Sequence, residues 1–258
     1  MKPLYVRGSE TRVELDAPAL RIRVPHQADA WLPLRRISRV ISATPVQWSS
    51  AALLACAAEG ISVSFLTDDG GLVARLTGPP GERDELRQRL SDWIDRAGWQ
   101  DDYAPWLSGM EQMAARSVAR RAGLPASELP LPRELQRALR AQALDRGLLA
   151  EYDAVGRRIH GLLTGLVTQH LSEAGIGPEW AGWTDLDLTG DFSRVLFWDF
   201  RLPRLAWLTP RQRCGQLGQP TEADVVAFFE NRSARTGRLC QGLVNRLHHW
   251  LIGQYRWR

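Results

Sequence analysis

The chain has 258 residues, enough for one large or two small domains. It is 44% hydrophobic and 24% charged, ordinary proportions for a soluble globular protein, and no run of eighteen apolar residues occurs, which argues against a transmembrane helix. The net charge of +4 is unevenly spread: residues 1–80 carry 9 basic and 7 acidic side chains, residues 81–191 carry 13 and 18, and residues 192–258 carry 11 and 4.

Met1–Glu10 lacks the apolar core of a signal peptide, so the cytoplasm is the expected location. The first eighty residues read as short strands interrupted by one helix. Leu4–Val6, Thr11–Leu15, Ala19–Val24, Leu32–Leu34 and Arg39–Ser42 are the early strand segments. Thr11–Leu15 and Ala19–Val24 alternate polar and apolar residues, the period of a half-exposed strand. Asp16–Ala17–Pro18 supplies the turn between them. Ser49–Glu59 has helical periodicity, with Ser49 or Ser50 placed to cap it and Gly60 to end it. Ile61–Leu66 and Leu72–Arg75 follow as a hairpin, turned at Asp68–Gly71 where glycine accepts positive φ.

Thr77–Gly81, with two consecutive prolines, is the natural domain boundary. Beyond it the pattern is helical. Glu82–Trp93 is amphipathic, Trp106–Gly123 carries apolar residues at helical spacing, and Pro125–Pro132 is a connector. Glu134–His170 reads as one or two helices weakened by Gly147, Gly156, Gly161 and Gly165. Gly175–Gly182 is a loop, Val195–Phe200 is a strand or a helix start, and Thr221–Phe229 and Arg238–Tyr255 are the last helices. The fold class expected is α+β: an N-terminal β-rich domain with one helix, residues 1–78, then a C-terminal all-α domain, residues 82–258.

Cys56, Cys214 and Cys240 are widely spaced and form neither a zinc pattern nor a disulfide framework. Lys2 is the only lysine, so the basic tail is built of arginine, which favours bidentate phosphate contacts. A solvated arginine-rich face explains the same charge, and both readings stand. Trp183, Trp198, Trp207, Trp250 and Trp257 are candidates for stacking on bases, although core packing is the commoner role.

The order of these elements carries a family resemblance. LYVRGSETRVELDAPALRIRV, followed by LPLRRISRVISATPVQWSSAALLACAAEGISVSFLTDDGGLVARLTG, resembles the N-terminal domain of the CRISPR-associated adaptation integrase, the Cas-one family. Leu32–Ile37, Ser49–Ile61 and Val63–Gly71 stand at the family's basic segment, its small-residue helix and its following strand. LSGMEQMAARSVARRAG resembles the family helix that carries a metal-binding glutamate, which points to Glu111. EAGIGPEWAGW resembles a loop that precedes the family histidine, and SRVLFWDFRLPRL resembles the acidic segment near its end, which points to Asp199. The chain departs from the family pattern at the active site. Gly182–Asp185 holds no histidine, none lies between His170 and His248, Leu202 stands where relatives often have a second acid, and Gln112 replaces a glycine.

The resemblance implies phosphoryl transfer that joins the 3′-hydroxyl ends of a short duplex to a repeat sequence, helped by a divalent ion. Mg2+ or Mn2+ takes oxygen ligands, so Glu111 and Asp199 are the candidate catalytic and metal residues, with Asp185 as a replacement ligand. Asp187 is the alternative to Asp185 in that role. The plain alternatives are an exposed helical glutamate at Glu111, a carboxylate at Asp199 salt-bridged to nearby Arg201 or Arg204, and loop acids at Asp185, Asp187 and Asp191. His170, His248 and His249 are expected to pack, or to face solvent or phosphate. The resemblance further implies duplex DNA as ligand, a homodimer paired through the β domain, and a ferredoxin-like partner of the Cas-two family. Arg201, Arg204, Arg211, Arg213, Arg232, Arg235 and Arg238 are the candidate DNA contacts. Because the family histidine is missing, weakened or lost catalysis is expected. A non-catalytic DNA-binding or assembly subunit and a protein-interaction module are the rival readings.

Overall fold

The alternating N-terminal segments form two four-stranded sheets. In the first, β1 (Lys2–Val6) pairs in parallel with β5 (Ile37–Ala43), β5 in parallel with β7 (Ser62–Leu66), and β7 antiparallel with β8 (Leu72–Leu76). In the second, the order is β4 (Ala30–Pro33), β3 (Ala19–Arg23), β2 (Arg12–Asp16) and β6 (Gln47–Trp48). The computed structural model describes residues 1–78, 84–124, 131–177, 186–213 and 220–256. They divide into two compact units, Met1–Arg89 with Thr164–Thr189, and Leu90–Leu163 with Gly190–Arg258.

In the first unit, the β2–β3 hairpin sets Val13 opposite Ile22 and Leu15 opposite Leu20. β5 is a central strand and reads Val40–Ile41 without alternation, as a strand covered on both faces should. Val13, Leu20, Ile37, Val40 and Val63 pack with Ala52 and Cys56 of α1 (Ser50–Ala58) in one core. Ser49 caps α1, its hydroxyl accepting from the Ala52 N–H at 3.2 Å, and Gly60 leaves the helix at φ 68°. At the β7–β8 turn the Gly71 N–H donates to Thr67 Oγ1 at 2.8 Å.

Gly165 explains how Thr164–Glu173 joins this unit. A Cβ there would lie 2.4 Å from Ile41 Cδ1 and 3.3 Å from Ser64 Oγ, so glycine lets the helix approach β5 without displacing those side chains. Two hydrogen bonds reinforce the contact, from Arg39 Nη1 to Gln169 Oε1 at 3.4 Å and from Arg75 Nη1 to Thr168 Oγ1 at 3.3 Å.

The second unit is helical. After α2 (Asp84–Ile94) come α3 (Trp99–Arg121), α4 (Pro132–Asp145), α5 (Leu149–Glu173), α6 (Leu188–Leu196), α7 (Trp198–Arg213) and α8 (Glu222–Arg256). The region 134–170 is two helices, parted at Gly147 with φ 66°, while Gly156, Gly161 and Gly165 lie inside α5. Val195–Phe200 is helical, spanning the end of α6 and the start of α7. The segments 221–229 and 238–255, expected as separate helices, fall in the single 35-residue α8 from Glu222 onward. Its polar middle stays helical because Phe229, Thr236 and Cys240 keep a buried stripe, and the Thr236 hydroxyl donates back to the Arg232 carbonyl at 3.0 Å.

An aromatic cluster fastens this unit. Trp93 meets Trp99 at 5.2 Å and Trp250 at 4.9 Å, and Trp106 meets Trp250 at 5.6 Å between ring centres. Trp198 is buried and Trp207 lies 4.8 Å from Phe228, so packing accounts for three of the tryptophans considered for base stacking. Trp183 and Trp257 fall outside the described residues. Cys56 and Cys240 are buried free thiols, and burial pushes the Cys56 thiol up to about 11; Cys214 falls outside the described residues. No helix among the described residues is long and apolar enough to cross a membrane.

Candidate functional site

Asp199 sits in the first turn of α7, where a carboxylate is favoured by the helix dipole. It is only 5% exposed, and three guanidiniums hold it. Arg121, from the last turn of α3, reaches Oδ1 at 2.8 Å; Arg232 and Arg235, one turn apart on α8, reach Oδ2 at 3.0 and 3.1 Å. Arg232 Nη2 also donates to the Asp199 backbone carbonyl at 3.2 Å. Phe200 stacks on Phe229 at 5.5 Å, which fixes α7 against α8 and aligns these groups. Burial alone would push the Asp199 carboxyl up. Hydrogen bonds from Arg235 and Arg232 and the charge of Arg121 outweigh burial and hold it below its ordinary value.

Glu111 lies half-buried on α3, ten residues before Arg121, about 15 Å along the helix axis. Its Oε1 accepts a hydrogen bond from the Trp198 indole N–H at 3.1 Å. The Arg201 guanidinium lies 4.4 Å over the Trp198 ring. Burial lowers the Arg201 pKa, and Tyr152 and then Glu111 oppose that shift. Consecutive residues at the start of α7 therefore serve different partners: Trp198 addresses Glu111, and Asp199 addresses the arginines.

This donor chemistry does not fit a divalent ion held between Glu111 and Asp199. Both Asp199 oxygens already receive arginine N–H groups, and three positive charges surround the place a cation would share. No group of three or more His, Cys, Asp or Glu side chains suited to a metal occurs among the described residues. Asp185 lies outside the described residues. Asp187 is exposed, and its charge acts on Arg75. His170 pairs with Glu173 at 3.1 Å.

The candidate arginines separate into distinct settings. Arg232 and Arg235 are tied to Asp199, Arg204 is buried, Arg201 is half-buried over Trp198, and Arg238 is exposed on α8. Arg211 and Arg213 lie on α7. Arg121 was not among the sequence candidates; its signal was the Arg120–Arg121 pair closing α3, where cations complement the helix C-terminus. Arg238 and Arg246 border a cavity of about 310 Å³ floored by Met110, Met113, Leu239 and Leu243.

The sequence model described as CRISPR associated protein Cas1 matches residues 4–140, slightly more than half of the chain. The chain belongs to the Cas1 family. No curated protein matches its sequence closely enough to add to that assignment. Among solved structures, a CAS1 protein from Thermotoga maritima is similar with a TM-score of 0.71 at 12% identity, covering 98% of this chain and 97% of that one. A TtCas1–DNA complex is similar at 0.58 and 14% identity, covering 99% and 92%. A casposase bound to integration product is similar at 0.60 and 12% identity, covering 96% and 91%. At such identities these likenesses establish the Cas1-type fold, which agrees with the α+β reading from sequence.

Proposed function

We propose that this Cas1-family chain is a DNA-binding subunit of CRISPR spacer acquisition in which metal-dependent strand transfer is weakened or lost. The observation that carries this reading is the divergent engagement of the two carboxylates, Glu111 by Trp198 and Asp199 by three arginines. A Mg2+ or Mn2+ ion would supply charge neutralisation and hydroxyl activation in a competent relative. Here Asp199 orders α3, α7 and α8 instead. Duplex DNA is the ligand, met chiefly through phosphates by exposed arginines such as Arg238 and Arg246 on α8. The protein acts in the cytoplasm as a homodimer beside a ferredoxin-like Cas-two partner. Family membership supports this assembly, and this chain is similar to 35% of a chain in a structure described as a Cas6-RT-Cas1–Cas2 complex, at a TM-score of 0.65 and 12% identity.

The test is strand transfer of a short duplex into a repeat substrate with Mg2+ or Mn2+, with and without the partner, alongside a salt titration of DNA binding. Binding that weakens steeply with salt, without strand transfer, is the expected result. Robust strand transfer by the wild type, abolished by Glu111→Ala, would overturn the loss of catalysis. No affinity for duplex DNA at low salt would overturn the DNA-binding reading.

A further inference from the structure

A second cavity, of about 320 Å³, opens between α4, α5 and α7 of the helical unit. Four arginines line it, Arg140, Arg157, Arg201 and Arg204, together with His160 and a single acid, Asp153. Asp153 is already used by Arg140, whose Nη2 lies 2.8 Å from it. The wall therefore carries three more guanidiniums than its one carboxylate can neutralise.

Arg204 is the telling residue. It is 2% exposed, and its Nε makes no hydrogen bond. Its guanidinium rests on the Tyr152 ring at 3.6 Å. No carboxylate among the described residues forms an ion pair with it, and the charge of Asp153, already engaged by Arg140, offsets its burial only in part. The Arg201 Nε is likewise buried and without a hydrogen-bond partner. Burying a cation without an anion is costly, so such an arrangement persists where an anion arrives. Burial lowers the pKa of both Arg201 and Arg204, the direction an incoming anion would reverse.

The backbone is cut to suit. A Cβ on Gly156 would lie 1.8 Å from Arg204 Nη1, so glycine at this point of α5 is what lets the guanidinium lie flat against the helix. The Tyr152 hydroxyl donates to the Arg201 carbonyl at 3.3 Å and locks the ring on which Arg204 rests.

We propose that this cavity binds a phosphate monoester, with Arg157, Arg201 and Arg204 supplying the N–H donors. Guanidinium forks match phosphate oxygens in pairs, and a dianionic monoester answers several cations at once, which one backbone diester does not. The volume suits a terminal phosphate with part of its attached group, and not a duplex. The inference is independent of the metal question and goes beyond duplex backbone contacts. It identifies a chain end or a small phosphorylated molecule as the ligand.

Calorimetric titration of the full-length protein at fixed salt tests it, with four probes: inorganic phosphate, a nucleoside monophosphate, and one short duplex carrying either 5′-phosphate or 5′-hydroxyl ends. Tighter binding of the 5′-phosphorylated duplex, by roughly tenfold, assigns the site to a DNA end. Saturable binding of inorganic phosphate or the monophosphate, with equal affinity for both duplexes, assigns it to a free phosphorylated ligand. Arg157 is exposed on α5, so Arg157→Ala should remove whichever preference for phosphate is seen, leaving the two duplexes bound alike. Gly156→Ala, which displaces Arg204, should do the same. Binding of none of the phosphate probes and indifference to duplex ends would overturn the proposal. Affinity for the 5′-hydroxyl duplex separately reports the DNA-binding reading, so the two can fail apart.

Discussion

Replacing Asp199 with asparagine removes the charge on which three arginines converge while keeping the shape of the side chain. Removing one partner of a buried ion pair costs about 3–5 kcal/mol, because the remaining charges are left uncompensated. The contacts here are short, at 2.8, 3.0 and 3.1 Å. The side chains of Arg121, Arg232 and Arg235 are 34%, 23% and 49% exposed, so water can recover part of the loss. The low end is therefore expected, about 3 kcal/mol. At about 2–4 °C per kcal/mol for a protein of this length, the melting temperature should fall by about 6–12 °C. Urea unfolding followed by near-ultraviolet circular dichroism, with the midpoint lowered and the slope unchanged, is the matching equilibrium measurement. A loss under about 1 kcal/mol would refute a structural role for the cluster. So would stabilisation of the wild type by Mn2+ that Asp199→Asn abolishes, since that result belongs to a ligand.

The same carboxylate sets a pH dependence. Its folded pKa lies below the unfolded value, so below about pH 4 the unfolded chain binds more protons, and stability falls as acid is added. Urea midpoints between pH 7 and pH 2.5 should decline for the wild type and flatten on the acid side for Asp199→Asn. Removing divalent metal with a chelator should leave the melting temperature of the wild type within 1 °C or so, about the effect of no lost ligand; a clear drop would indicate a bound structural ion. Gly78→Ala places a Cβ 1.8 Å from the Ala57 carbonyl oxygen. The backbone must shift there, and a loss of about 2–3 kcal/mol in the first unit is expected; an unchanged midpoint would show the loop yields freely. Gly165→Ala should cost about 1–3 kcal/mol through Ile41 and Ser64, read in the same way.

Much of the architecture was legible because it rests on local signals. Alternation marked β2 and β3, Ser49 and Gly60 bracketed α1, and the glycine turn marked the β7–β8 hairpin. The helical half was read less well where tertiary packing overrode local preference. Residues 230–237 look like a break, yet buried Phe229, Thr236 and Cys240 carry one helix through them. Only Gly147, with its positive φ, interrupts the glycine-dotted region before it. Glu111 and Asp199 were visible as isolated acids, but their partners were not. Whether a carboxylate meets a cation, an indole or a guanidinium depends on residues brought in from other helices. Salt-bridging was foreseen for Asp199, with Arg201 or Arg204 as neighbours; the structure supplies Arg121, Arg232 and Arg235. Arg140 and Arg157 had no signal beyond their charge, because a cavity has no sequence pattern of its own.

The packed indoles of Trp93, Trp99, Trp106 and Trp250 have an optical consequence. Chromophores held at about 5 Å in fixed edge-to-face and tilted pairs couple as excitons, and the coupling depends on those mutual angles. Loosening the side chains would erase that signal while backbone helicity survives, so a swollen intermediate of the helical unit would announce itself spectroscopically before the chain unravels.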